Sequence, residues 1–259
     1  MSNIAQAFAH GKAFIPFITC GDPDLETTAQ LVRAMADAGA DLIELGIPFS
    51  DPTAEGPVIQ EANLRALQGG VTTDKIFAMV RTLRASVTIP LVFMTYANVV
   101  FSYGSERFIR TCAELGIYGL ILPDVPYEEK EEFCPLCRQY GLDLIAMIAP
   151  TSEDRIAMIA REASGFIYIV SSLGVTGERR QISTDIKPIT AAIRRVSQTP
   201  CAVGFGISTP DQASAMAAQA DGAIVGSAIV RLIARYGRDA QQPVADYVRE
   251  MKQAVRILM

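Results

Sequence analysis

Short aliphatic runs alternate with longer amphipathic segments along the whole chain. Residues 13–19 predict a first strand, and Gly21-Asp22-Pro23 then starts a helix that runs to about Ala38 and ends at Gly39. A second strand is expected over 42–45, followed by a long loop, and Thr72-Thr73-Asp74 opens the next helix, to about Ala85. The same alternation predicts strands at 89–94, 119–122 and 144–148, with helices at 105–115, 127–140 and 152–163. Further strands are expected at 166–170, 201–204 and 223–225, with helices over 184–196, 210–218, from Ser227, and from Pro243 to the end.

Eight strand–helix units in 259 residues fit a single-domain (β/α)8 TIM barrel spanning residues 1–259. Near-continuous apolar strands indicate a parallel sheet covered on both faces. An open doubly wound sheet is the competing architecture. The barrel is preferred because the segments after strands two, six, seven and eight all carry unusual chemistry, and a barrel gathers such loops at one rim.

The central feature is the second strand and its loop, residues 41–60. Glu44 interrupts an apolar run, and Asp51 and Glu55 follow in a Pro- and Gly-rich stretch. A carboxylate in an apolar strand must be solvated, paired or used, because burying it alone is costly. Three glycine-bearing loops then suggest an anion cradle: 174–177, 204–208 and 226–229, the last opening a helix. Phe17, Tyr96, Ile121, Tyr168, Phe205 and Ile224 occupy strand ends between acids and glycines and could line a pocket that is apolar at one end and anion-binding at the other. No Lys falls at a predicted strand end, so a Schiff base has no obvious nucleophile. The single histidine, His10, precedes the first strand and reads as a surface residue, so proton transfers would fall to carboxylates.

Charge and composition remove other classes. The chain has 23 basic and 28 acidic residues, net −5, with no basic cluster, which argues against nucleic acid or anionic membrane as partners. It shows no apolar run of about 18 residues and no signal-peptide pattern, which points to the cytoplasm. Five cysteines do not make a disulfide framework. Cys134-x-x-Cys137 has no second pair, so no metal site is expected.

The segment Leu42-Ile43-Glu44-Leu45-Gly46-Ile47-Pro48-Phe49-Ser50-Asp51-Pro52 resembles the signature of the tryptophan synthase alpha subunit family. The likeness extends from Phe14-Ile15-Pro16-Phe17 to Gly226-Ser227-Ala228-Ile229-Val230. It implies a (β/α)8 lyase that cleaves indole-3-glycerol phosphate to indole and glyceraldehyde 3-phosphate. It also implies an α2β2 complex, in which pyridoxal phosphate belongs to the beta subunit and this chain carries no cofactor. By resemblance, Glu44 is the acid/base and Glu55 stabilises the protonated indole ring. Gly177, Gly206, Gly226 and Ser227 would hold phosphate, with Thr176 closing toward the catalytic loop. Phe17, Tyr168 and Phe205 would surround the substrate, and Pro48, Asp51, Pro52 and Asn98 would face the beta subunit, beside an exposed Phe49.

The main departure is Glu55, where the family usually has aspartate; Thr53 also stands where an aliphatic residue is frequent. An acid longer by a methylene leads to the expectation that Glu55→Asp would keep or raise activity. Two alternatives follow: a weakened subunit acting mainly as allosteric activator of a beta subunit, or a stand-alone indole-releasing lyase.

Overall fold

The computed structural model describes residues 3–170, 185–204 and 206–256. Nine strands form one parallel sheet: β1 (Ala13–Thr19), β2 (Ile43–Gly46), β3 (Leu91–Met94), β4 (Gly119–Ile121), β5 (Asp143–Leu144), β6 (Ala146–Ile148), β7 (Ile167–Val170), β8 (Cys201–Gly204) and β9 (Gly222–Val225). The order β5-β4-β3-β2-β1-β9-β8-β7-β6 closes on itself, because β5 and β6 are the two halves of the fifth predicted strand. Between them Ile145 donates its N–H to Leu120 O at 2.9 Å. The closed barrel, rather than the open sheet, is therefore the architecture.

Eleven α-helices accompany the strands among the described residues: α1 (Leu25–Asp37), α2 (Pro57–Gln68), α3 (Thr73–Leu83), α4 (Ala97–Tyr103), α5 (Ser105–Glu114), α6 (Cys134–Tyr140), α7 (Glu153–Glu162), α8 (Lys187–Arg194), α9 (Pro210–Ala217), α10 (Ser227–Tyr236) and α11 (Gln241–Arg256). Alternate strand residues face opposite ways and build two cores. Ile15, Phe17, Leu42, Val92, Ile121, Phe166 and Ile224 fill the barrel. Phe14, Ile43, Phe93, Ile169 and Val203 pack outward against the helices. A 3-10 turn at Asn3–Phe8, which the sequence pattern did not predict, adds Ile4 and Ala7 to the inner core, with Phe8 5.9 Å from Phe166.

Three predicted segments differ. The long loop after β2 contains α2, which starts after Gly56 with Pro57 in its first turn and buries Ile59, Ala62, Asn63 and Ala66. That spacing is helical, but a polar Asn in the stripe and Gly-Pro at its start hid it. Helix α4 lies where the pattern predicts neither helix nor strand. The helix expected over 127–140 is a 3-10 turn, Tyr127–Glu132, followed by α6. Pro135 lacks an N–H and clashes with the preceding turn, so a continuous helix cannot form there.

Candidate active site

Parallel register places Glu44 opposite Phe17 on β1 and Val92 on β3. Glu44 is 1 % exposed and lines the cavity at the barrel mouth, where neither carboxyl oxygen has a hydrogen-bond partner. Desolvation pushes its pKa from the ordinary 4.5 to about 8. The acid therefore keeps its proton at neutral pH.

Glu55 arrives from the loop between β2 and α2 and is also buried. Its Oε2 accepts a 2.6 Å hydrogen bond from Asn63 Nδ2, and its main-chain oxygen accepts from Gln60 Nε2 at 2.7 Å. Burial raises its pKa to about 7, against the opposing pull of the Asn63 bond. The loop is tied down elsewhere. Ala54 N–H donates to the Tyr96 hydroxyl at 3.2 Å, and Phe49 packs on the Tyr96 ring with centroids 5.2 Å apart. From the other side, Arg65 of α2 makes a bidentate pair with buried Asp22 after β1, both contacts at 2.8 Å.

One cavity brings the two acids together with Phe17, Ile59, Met94, Tyr168, Ile224, Gly206, Ile207, Gly226 and Ser227. Gly206 has φ 85°, a conformation that strongly favours glycine. Helix α10 starts after Gly226 with no side-chain cap, and Gly226 and Ser227 line the cavity. The first-turn N–H groups of α10 thus lack an intrahelical acceptor at the cavity edge, a ready place for an anion. Close approach also shapes the wall: a Cβ at Gly204 would lie 2.3 Å from the Tyr168 hydroxyl.

The predicted site residues divide clearly. Glu44, Glu55, Phe17, Tyr168, Ile224, Gly206, Gly226 and Ser227 meet in the cavity. Ile121 lies in the barrel core opposite Met94 and is not part of this wall, while Tyr96 supports the loop through its hydroxyl. Thr176, Gly177 and Phe205 lie outside the described residues. Asp51 and Asn98 are exposed and Pro52 is half-buried, but Pro48 is buried, and Phe49 is packed on Tyr96 rather than exposed. Ile59, Met94 and Ile207 were missed; recognising the helical stripe of α2 would have found Ile59. The cavity's free volume is about 30 Å³, room for a water or two, so a larger ligand must displace part of its wall.

A larger cavity, about 570 Å³, opens outside the barrel among Leu144, Ala146, Ile159 and Lys130. Two of its cations are already paired, Lys130 with Glu162 and Arg155 with Glu128, and it holds no buried unpartnered acid. Size alone does not make it the reactive centre. Among the described residues no group of three or more His, Cys, Asp or Glu could hold a metal ion.

A closed (β/α)8 barrel with two buried acids and an uncapped helix start at one mouth has the arrangement of a barrel enzyme suited to acid/base chemistry. The family model described as tryptophan synthase alpha chain matches residues 4–256. The chain is 51 % identical over 256 residues to the tryptophan synthase alpha chain of Lactiplantibacillus plantarum, covering 98 % of this chain and 97 % of that one. The structure of tryptophan synthase subunit alpha from Legionella pneumophila is similar, with TM-score 0.89, 35 % identity and 99 % of both chains covered. A structure of the tryptophan synthase a2b2 complex from Pyrococcus furiosus is similar with TM-score 0.86 and 34 % identity, covering 94 % of this chain and 99 % of that one. The chain belongs to the tryptophan synthase alpha chain family. It is a lyase of that family, whose reaction is cleavage of indole-3-glycerol phosphate to indole and glyceraldehyde 3-phosphate.

Proposed function

We propose that Glu44 carries the proton transfers of this cleavage and that Glu55 stabilises the positive charge on the indole ring. The single observation behind this reading is two buried acids, with pKa values raised to about 8 and about 7, in one cavity with an uncapped helix start. Protonated Glu44 donates to indole C3, and its carboxylate then takes the glycerol hydroxyl proton as the carbon–carbon bond breaks. Ionised Glu55 faces the cationic ring formed by C3 protonation, where a fixed negative charge in a dry site is most effective. Phe17, Met94, Tyr168 and Ile224 offer the apolar wall for the ring, with Ile121 in the same core cluster and Tyr96 bracing the loop that carries Glu55. Gly206, Gly226 and Ser227, together with Gly177, supply donors for phosphate.

We further infer a beta subunit as partner, docked over the rim that carries Asp51, Pro52 and Asn98, near Phe101, which is 50 % exposed on α4. The similar complex from Pyrococcus furiosus supports this. Pyridoxal phosphate belongs to that subunit, while the two acids give this chain the proton chemistry it needs without a cofactor. The cytoplasm is the inferred setting: all five cysteines are free thiols, and among the described residues no helix is long and apolar enough to cross a membrane. The decisive assay follows indole release from indole-3-glycerol phosphate, with and without a beta subunit. Glu44→Gln should retain substrate binding and lose turnover; a variant that still releases indole at the parent rate removes Glu44 from the reaction.

A further inference from the structure

We propose that Asn63 is the positioning residue of the loop acid: its carboxamide N–H fixes one carboxyl oxygen of Glu55 at the cavity, and the two side chains are matched in length. The inference rests on the catalytic reading of Glu55 above. Asn63 is 4 % exposed and lies in the buried stripe of α2, between Ile59, Ala62 and Ala66. A carboxamide buried in an apolar stripe is costly unless its donors are used. Here one goes to Glu55 Oε2 at 2.6 Å.

The helix that carries Asn63 is tied to the turn after β1. Arg65, two residues further along α2, is held by both oxygens of Asp22, which is 2 % exposed and lies in the turn after β1. A fixed path therefore leads from the β1 turn through Asp22 and Arg65 to α2, then to Asn63 and the acid. The polar side chains that contact Glu55 or share its cavity are Asn63 from α2, Tyr96 from the segment after β3, Glu44 from β2, Tyr168 from β7 and Ser227 of α10. None of these is a cation. Among the described residues Asn63 is thus the contact that favours the ionised carboxylate, since an amide N–H can only donate.

Length makes the pair specific. An aspartate at position 55 would withdraw its carboxyl by about one methylene, roughly 1.5 Å, and a 2.6 Å bond stretched that far is lost. This geometry reverses the sequence-based expectation that Glu55→Asp would keep or raise activity. Lengthening the amide by the same methylene should restore contact.

The test measures kcat, KM and the pH profile of kcat on the full chain with indole-3-glycerol phosphate, for Glu55→Asp, Asn63→Leu, both together, and Glu55→Asp with Asn63→Gln. Each single change should lower kcat about tenfold, the scale of one hydrogen bond to a charged group, with KM within about twofold. Asn63→Leu should also move the acid limb of the profile to higher pH. The Asp/Leu double variant should be no worse than either single one, and the Asp/Gln pair should regain most of the loss. An active Glu55→Asp enzyme, losses that multiply in the double variant, or an unmoved acid limb would each overturn the proposal. Glu55→Gln separates the layers. Full activity there sinks the catalytic reading of Glu55 itself, whereas an inactive Glu55→Gln beside a fully active Asn63→Leu sinks the positioning inference alone.

Discussion

Burial raises the proton affinity of both acids in the cavity, but the two are held in different ways. Glu44 stands on a barrel strand, fixed by register between Phe17 and Val92, with neither carboxyl oxygen hydrogen-bonded. Glu55 is delivered by a loop and braced from three sides by Asn63, Gln60 and the Tyr96-supported backbone. A strand-borne acid needs no partner to stay in place, so all of its desolvation goes into raising its proton affinity. A loop-borne acid must be held, and the hydrogen bond that holds it also draws its pKa down. On the proposed reading, the barrel draws a proton donor and a charge stabiliser from the same residue type, distinguished by how each is supported.

The largest effect should follow Glu44→Gln, a loss of at least about a thousandfold in kcat with substrate affinity kept, measured by steady-state indole release. The same change should alter stability against pH. Between pH 4.5 and 8 the unfolded Glu44 releases its proton while the folded one retains it, so native stability falls as pH rises through this window, by up to about 5 kcal/mol. Denaturant titrations at several pH values should show that slope flattened in Glu44→Gln. Glu55→Gln comes next, with about a hundredfold lower kcat and an acid limb near pH 7 that disappears.

Gly204→Ala should act more moderately. Its Cβ would clash with the Tyr168 ring, so the ring must leave the cavity wall, costing about 1–3 kcal/mol of stability and raising KM. Smallest is Tyr96→Phe, which removes the acceptor of the Ala54 N–H and loosens the loop; kcat should fall a few-fold, with Tm nearly unchanged. An effect as large as that of Glu55→Gln would show that Tyr96 touches substrate directly.

Much of this was legible in the chain. Apolar runs marked the strands because a parallel barrel buries both faces of each, and a lone Glu44 in such a run stood out for the same reason. Residues 201–204 matched the eighth strand in the sheet, and 13–19 the first. The break of the fifth strand at Ile145 was not legible, since its residues remain apolar throughout. Helix α2 was hidden by the buried polar Asn63, which looked like a flaw in the stripe. The same residue makes the contact to Glu55, so one feature concealed both the helix and the support of the acid. Local sequence does not show that a side chain at 63 meets one at 55 across a helix start.

The measurement closest to the central claim is a carbon-13 NMR titration of the glutamate side-chain carboxyls in the full chain, with the Glu44 signal assigned by its absence in Glu44→Gln. The account predicts a carboxyl at position 44 that stays protonated through neutral pH and titrates near 8. A Glu44 signal titrating near 4.5, the ordinary value for a solvated glutamate, would contradict it.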